Sequence, residues 1–172
     1  SFKYKFNIKI SERKKLLLKF RKGIVKHMDE FIKIICSETG KKEVEGLMEV
    51  YISLEHLQHA TKHLHEALGK KSRRVGMMKT KKAWIEYDPM GVAGIISPWN
   101  YPLILTLSPI VEAFLAGNSV VLKPSEHTPL TTRLLKKVWD QSTNQLDLLQ
   151  IIYGTGDIGH ELVISDFLTN FV

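Results

Sequence analysis

The fold follows from residues 92–123, VAGIISPWNYPLILTLSPIVEAFLAGNSVVLK, in which two short apolar runs flank a helical pattern. The runs at 92–96 and 119–122 lack polar alternation, which is typical of strands covered on both faces. A second helical pattern and a third apolar run, at 149–153, come next, and residues 171–172 look like the opening of a fourth strand. This alternation predicts an α/β fold with a parallel sheet and right-handed crossovers.

Polar segments follow the predicted strands, at the edge of the sheet where such folds bind ligands. Segment 97–102, SPWNYP, holds Asn100 between two prolines, so that its amide can donate to a developing negative charge, or else form an Asx turn. Segment 123–129, KPSEHTP, offers a carboxylate and a lysine that can hold a ribose, or else a surface ion pair. Segment 154–159, GTGDIG, is a GxGxxG pattern, which taken alone suggests a dinucleotide fingerprint. Its place after the third strand and its acidic Asp157 favour a tight turn, either with or without contact to an adenosine.

The first part of the chain is helical in pattern. Apolar residues at spacings of three and four predict one amphipathic helix across residues 17–35, begun by Ser11 and closed by Gly40. A second stripe predicts a helix over residues 44–68. Cys36 lies beside the first stripe and is expected to be buried and inert.

Basic residues are concentrated in the first half of the chain. Residues 1–90 carry 21 Lys and Arg against 11 Asp and Glu, whereas residues 91–172 carry 4 against 7. Such charge can attract nucleic acid or an anionic membrane, but no recognition motif or aromatic interleaving accompanies it. We therefore expect a solvated surface, with no nucleic acid and no membrane as partner. Some of these basic residues lie in a predicted turn between extended stretches at 73–77 and 82–87. The two stretches predict a ribbon that can pair with a neighbour's sheet.

Composition excludes several classes of protein. The values of 44% hydrophobic and 25% charged residues are those of a globular chain. No apolar run reaches the roughly 18–20 residues of a membrane-spanning helix. One cysteine excludes an internal disulfide framework and a cysteine zinc site. His59 and His63 lie four apart, as two ligands would, but no HExxH pattern accompanies them, so we expect no metal site.

Together these segments resemble the N-terminal part of the NAD(P)-dependent aldehyde dehydrogenase superfamily. The residues that carry the likeness are GVAGIISPWNYP (91–102), LAGNSVVLKPSEHTPLT (115–131) and IIYGTGDIG (151–159), with SERKKLLLKF (11–20) and SETGKK (37–42) before them. Their order and spacing agree with the family across nearly the whole chain. The resemblance implies a helical cap, a β-ribbon and part of a Rossmann-like parallel sheet, which is a truncated cofactor-binding domain.

The resemblance also assigns roles to individual residues. Asn100 matches the family's oxyanion-stabilising asparagine. Lys123 and Glu126 match the pair that holds the adenosine ribose, and Gly156 with Gly159 matches the turn against which the adenine packs. The positions that match cofactor contacts are Ile96, Ser97, Pro98, Trp99, Lys123, Pro124, Ser125, Glu126, Gly156 and Gly159. Glu126 favours NAD over NADP as the cofactor because a carboxylate repels a 2′-phosphate, with NADP kept as the alternative.

The implied function is that of an oxidoreductase that oxidises a small aldehyde to a carboxylic acid. The implied domains are a helical cap (1–72), a ribbon that is a candidate oligomerisation arm (73–90) and a partial dinucleotide-binding domain (91–172). The family's nucleophilic cysteine and base glutamate fall outside the matched segments, so the chain alone is expected to be inactive. The alternative is a non-catalytic nucleotide-binding or oligomerisation module. The start shows no signal-peptide pattern, so we expect a cytoplasmic parent enzyme, and the ribbon leads us to expect a homo-oligomer. The start also lacks Met, so we expect a processed form or a piece.

Overall fold

The structure, a computed structural model, describes residues 8–77, 80–165, 168, 170 and 171. The helices found there are α1 (Ile10–Lys26), α2 (Met28–Thr39), α3 (Glu43–Leu68), α4 (Ile104–Ala116), α5 (Pro129–Thr143) and α6 (Gly156–Val163), with a 3₁₀ helix at Leu146–Leu148. The strands are β1 (Lys71–Arg73), β2 (Ala83–Ile85), β3 (Val92–Ile96), β4 (Ser119–Lys123), β5 (Leu149–Ile151) and β6 (Asn170–Phe171). From β3 onward strands alternate with helices, which confirms the predicted α/β fold.

The sheet of the second half has the strand order β5-β4-β3-β6. Its pairings are parallel, with Ile95 opposite Leu122 and Leu122 opposite Ile151. Because the strands run the same way, the segments that follow β3, β4 and β5 emerge at one edge of the sheet. The predicted fourth strand corresponds to β6, which pairs with β3, whereas Val172 lies outside the described residues.

Helices α4 and α5 lie between the sheet and helices α1–α3. A continuous apolar core joins these layers. At its centre the fully buried Trp139 of α5 meets Phe20 of α1 and Phe114 of α4 edge-on, with ring centroids 5.0 and 5.2 Å away. The N-terminal helices therefore pack directly on the α/β portion. The division into a cap of 1–72, a ribbon of 73–90 and an α/β domain of 91–172 stays a prediction.

The single helix predicted across residues 17–35 is wrong, because two helices occupy it. At His27 the backbone (φ −104°, ψ 19°) leaves helical geometry and separates α1 from α2. Two acidic residues in the first turn of α2 favour a new start there, since carboxylates stabilise the positive end of a helix dipole. Ser11 lies inside α1 and does not cap it. The predicted stop at Gly40 is confirmed by its left-handed φ of 72°.

Strands β1 and β2 form an antiparallel ribbon in the predicted region. Both strands are shorter than predicted, and the stretch 73–77 is wrong as a strand because Gly76 has a φ of 57° and turns the chain. At the base of the ribbon Lys70 Nζ lies 2.8 Å from Glu86 Oε1. The hydrogen bond from Lys70 lowers the pKa of Glu86 below its ordinary value.

The described residues also bear on metals, membranes and the cysteine. No group of three His, Cys, Asp or Glu side chains among them could hold a metal ion, although the rings of His59 and His63 lie near each other, with centroids 4.4 Å apart. None of the described helices is long and apolar enough to cross a membrane. Cys36 is half-buried, not buried as predicted, because it lines a surface cavity beside α2 and α3.

Candidate functional site

The ends of β3 and β4 bring the first predicted site residues together. Ile96 lies directly opposite Lys123 in the parallel register. Side chains alternate between the two faces of a strand, and the preceding pair, Ile95 and Leu122, belongs to the core under α4. Ile96 and Lys123 therefore share the opposite face of the sheet, at the edge where the loops emerge.

Helix α6 adds a glycine to the same face. A Cβ atom at Gly159 would lie 3.8 Å from Ile96 Cδ1 and 3.9 Å from Lys123 Cδ. Three predicted site residues from three separate segments thus meet in one place. Gly159 is itself buried, so α6 packs against Ile96 and Lys123 at this point. At Gly156 an added Cβ would find no atom within 4 Å, and this exposed glycine opens α6.

The Lys123–Glu126 ion pair joins a buried lysine at the edge of the sheet to an exposed carboxylate. The Lys123 side chain is only 5% exposed, and its Nζ lies 3.1 Å from Oε2 of Glu126, whose side chain is 44% exposed. Hydrogen bonds from its own backbone amide and then from Lys123 lower the pKa of Glu126 below the ordinary carboxyl value of 4.5. The carboxylate therefore stays ionised at neutral pH and can accept hydrogen bonds from a ligand's hydroxyl groups.

The Ser97–Tyr101 segment leads from β3 towards α4. Trp99 and Asn100 are both exposed at this end of the sheet, with the Trp99 side chain 54% exposed. The Ser97 side chain points the other way, since Thr106 of α4 donates a hydrogen bond to its Oγ over 2.8 Å. The backbone of Ser97 donates to the carbonyl of Lys123 over 3.2 Å. Ser97 therefore joins the two loops, and its side chain is already used within the protein.

The second loop is fixed internally as well. The His127 amide donates to Ser125 Oγ over 3.3 Å, so this side chain closes a local turn. Pro124 and Ser125 are buried, whereas Pro98 of the first loop is exposed. Of the predicted cofactor contacts, Lys123, Glu126 and the face made by Ile96 and Gly159 have side-chain positions suited to a ligand. All of these assignments remain predictions.

Sequence reasoning missed a buried carboxylate behind the first loop. Glu49 of α3 is buried, and its Oε1 accepts hydrogen bonds from the amides of Leu103 and Ile104 over 2.8 and 3.4 Å. Lys41 Nζ lies 2.6 Å from Glu49 Oε2 and 3.7 Å from the centroid of the Tyr101 ring. The sequence signal that could have found it is the position of Glu49, an acidic residue on the same face of α3 as the buried apolar residues.

A second carboxylate, Glu38 of α2, was also missed. It accepts hydrogen bonds from the amides of Leu130 and Thr131 at the start of α5, over 2.5 and 2.9 Å, and from the Thr131 hydroxyl over 2.6 Å. No local pattern pointed to this contact, because more than ninety residues separate its partners along the chain. Both helices that follow the candidate loops are thus held at their first turn.

Comparison with known proteins gives the family. The profile of the aldehyde dehydrogenase family matches residues 2–169. The chain belongs to the aldehyde dehydrogenase family. A putative aldehyde dehydrogenase of Gibberella fujikuroi is 32% identical over 152 residues, which cover 88% of this chain and 32% of that protein.

Solved aldehyde dehydrogenase structures share the fold. Staphylococcus aureus AldH, in a substrate-bound state, superposes with a TM-score of 0.83 at 29% identity, over 90% of this chain and 34% of that one. An NAD-dependent aldehyde dehydrogenase from Sinorhizobium meliloti gives 0.85 at 25% identity, over 94% and 32%. The chain thus spans about a third of the length of the aldehyde dehydrogenases it matches.

Proposed function

We propose that this chain is the cofactor-binding N-terminal portion of an NAD-dependent aldehyde dehydrogenase that oxidises a small aldehyde to a carboxylic acid. The observation that carries the proposal is the meeting of Ile96, Lys123 and Gly159 beside the exposed Glu126 at the carboxyl edge of the sheet. Membership of the family supports a nicotinamide cofactor.

The residues present fit the ribose half of such a cofactor. An ionised, half-exposed carboxylate beside a lysine can hold a ribose, with Glu126 accepting from its hydroxyls and Lys123 donating to its oxygens. The exposed start of α6 at Gly156, where an added Cβ would meet no atom within 4 Å, leaves room for an adenine ring. The buried Lys123 stem fixes the direction of its ammonium group, so that little side-chain entropy remains to be lost when the sugar binds.

Asn100 supplies the other half of the proposed mechanism. Its exposed amide can donate an N–H to the oxygen of the reacting aldehyde as negative charge develops there. A donor that is already oriented needs no reorganisation at the moment of reaction, which is why a loop stiffened by prolines suits this role. The bound cofactor supplies the hydride acceptor for the oxidation.

NAD is the proposed cofactor, in preference to NADP. Because the lowered pKa keeps Glu126 ionised, this carboxylate repels a phosphate on the 2′-oxygen that it would otherwise accept from. The Sinorhizobium meliloti enzyme that shares the fold is NAD-dependent by name.

Oxidation of an aldehyde in this family needs a thiolate, and Cys36 does not suit that role. It lies on α2 and lines a cavity with Asp29, Lys33 and Glu43, none of which belongs to the candidate site. We therefore propose that the chain alone binds cofactor without oxidising aldehydes, and that the rest of the enzyme supplies the nucleophile. We further propose a homo-oligomer that pairs through the ribbon, in the cytoplasm, where a catalytic thiol stays reduced.

Calorimetric titration of the chain with NAD tests the proposal. We expect saturable binding that Glu126→Gln weakens about tenfold, with NADP weaker than NAD for the native chain. Asp147→Asn is the matched control, because this exposed acid precedes β5 and lies at the other end of the sheet. No saturable binding at millimolar NAD, or equal losses in the two variants, would contradict the proposal.

A further inference from the structure

Carboxylates from the N-terminal helices hold the first amides of both helices that follow the candidate loops. Glu49 of α3 holds the first turn of α4, and Glu38 of α2 holds the first turn of α5. Neither α4 nor α5 has a side-chain hydrogen bond from its own N-cap residue. Because the first amides of a helix have no partner within it, these distant carboxylates satisfy donors that the local sequence leaves open.

Each contact lies only a few residues beyond a predicted ligand residue. The Leu103 amide that Glu49 holds is three positions after Asn100, and the Leu130 amide that Glu38 holds is four positions after Glu126. Prolines stand just before both amides and restrict the intervening backbone. A displacement of either helix start would therefore be transmitted to the loop that precedes it.

The contact with α4 has a second attachment on the loop itself. Lys41 touches both the Glu49 carboxylate and the face of the Tyr101 ring, which is the neighbour of Asn100. The Glu49 side chain is fully buried and that of Lys41 is 15% exposed. A charge pair so poorly solvated is held in one geometry, because each group loses its main partner if the other moves.

We propose that Glu49 and Glu38 are positioning residues, which fix the loop carrying Asn100 and the loop carrying Lys123 and Glu126, respectively. Their value to catalysis rests on the proposed function, whereas their mechanical effect on the loops can be measured without it. Each acts through the backbone of its helix and not by touching the ligand.

Hydrogen exchange of the 172-residue chain separates this role from a general contribution to stability. In Glu49→Gln, amides of segment 97–104 should exchange about tenfold faster, while segment 123–131 and the amides of β4 stay unchanged. In Glu38→Gln, segment 123–131 should accelerate by a similar factor and segment 97–104 should not. Glu55→Gln changes an exposed carboxylate on α3 and should alter neither segment.

Two outcomes would overturn the inference. One is unchanged exchange in the matching segment of either variant. The other is equal acceleration in both loops and in the strands of Glu38→Gln, which is the behaviour of a merely destabilised protein. If Glu49→Gln lowers protection everywhere, the double variant Lys41→Met/Glu49→Gln removes the unpaired ammonium. Recovery of protection in β3 and β4 but not in segment 97–104 supports the inference, and recovery in all three contradicts it.

A parallel NAD titration keeps the two proposals apart. Weaker NAD binding in Glu38→Gln than in Glu55→Gln, by about threefold or more, supports a positioning role at the ribose loop. A native chain that shows the segment-specific exchange but binds no NAD would support the positioning role and contradict the proposed function.

Discussion

Replacing Gly159 with alanine should stabilise the chain and weaken its binding of NAD. Gly159 lies inside α6 without a positive φ, so alanine can take the same conformation and gain about 0.5–1 kcal/mol in the free energy of unfolding. The added Cβ would meet Ile96 Cδ1 at 3.8 Å and Lys123 Cδ at 3.9 Å, which are ordinary contacts, so no clash offsets the gain. The same methyl group would lie against the stem of Lys123 and limit the positions from which its ammonium group can reach a ribose, which should cost about tenfold in NAD affinity.

Two measurements on one variant decide this prediction. Urea unfolding followed by far-ultraviolet circular dichroism gives the stability, and calorimetry gives the NAD affinity. Gly23→Ala serves as the control for packing, because a Cβ there would come within 2.8 Å of Val138 Cγ1 and should destabilise the chain. If Gly159→Ala destabilises the protein, the buried glycine is required for packing; if it stabilises the protein with NAD affinity intact, Lys123 does not hold the ribose. Each of these results contradicts the prediction.

Three further predictions concern charge and packing. Glu49→Ala should lower the free energy of unfolding, measured by urea titration, by about 3 kcal/mol. The reason is that it leaves a poorly solvated Lys41 and two helix amides without their partner. The control Glu55→Ala should change the free energy of unfolding by less than about 0.5 kcal/mol. The pKa of Glu126 in the folded chain lies below the ordinary carboxyl pKa of 4.5. The carboxylate therefore contributes fully to folding, and can hold a ribose, above pH 4.5, and both effects are lost as the pH falls through the lower folded-state pKa. NAD affinity measured by calorimetry should therefore be flat between about pH 7 and pH 5, and a fall centred above pH 5 would contradict this. Trp139→Ala should cost about 4 kcal/mol in the same urea titration, because the ring is fully buried between Phe20 and Phe114, and a cost below about 1 kcal/mol would show that the core is loosely packed there.

Local patterns in the sequence were sufficient to predict the sheet and the candidate site residues at its carboxyl edge. Strands β3, β4 and β5 could be predicted because a continuous apolar run indicates a strand that is covered on both faces. Parallel pairing then brings the following loops to one edge without further information, and Lys123 and Glu126 are close because they are three residues apart. Gly40 likewise ends α2 in the left-handed conformation that glycine permits.

What the sequence did not reveal depends on distant partners or on small energy differences. The stripe of residues 17–35 keeps its spacing through the break at His27, so periodicity alone could not divide α1 from α2. Glu49 meets its amides across more than fifty residues, and Glu38 across more than ninety. The ribbon differs from its prediction because Gly76 turns the chain inside an apparently extended stretch.

We propose that the loops after β3, β4 and β5 form one nucleotide site. Amide chemical shifts of the labelled chain, followed during an NAD titration, show which residues sense the ligand. We expect shifts at residues 96–100, 123–126 and 154–159 that saturate together with one dissociation constant. Shifts confined to the basic ribbon, or separate saturation of the three segments, would contradict it.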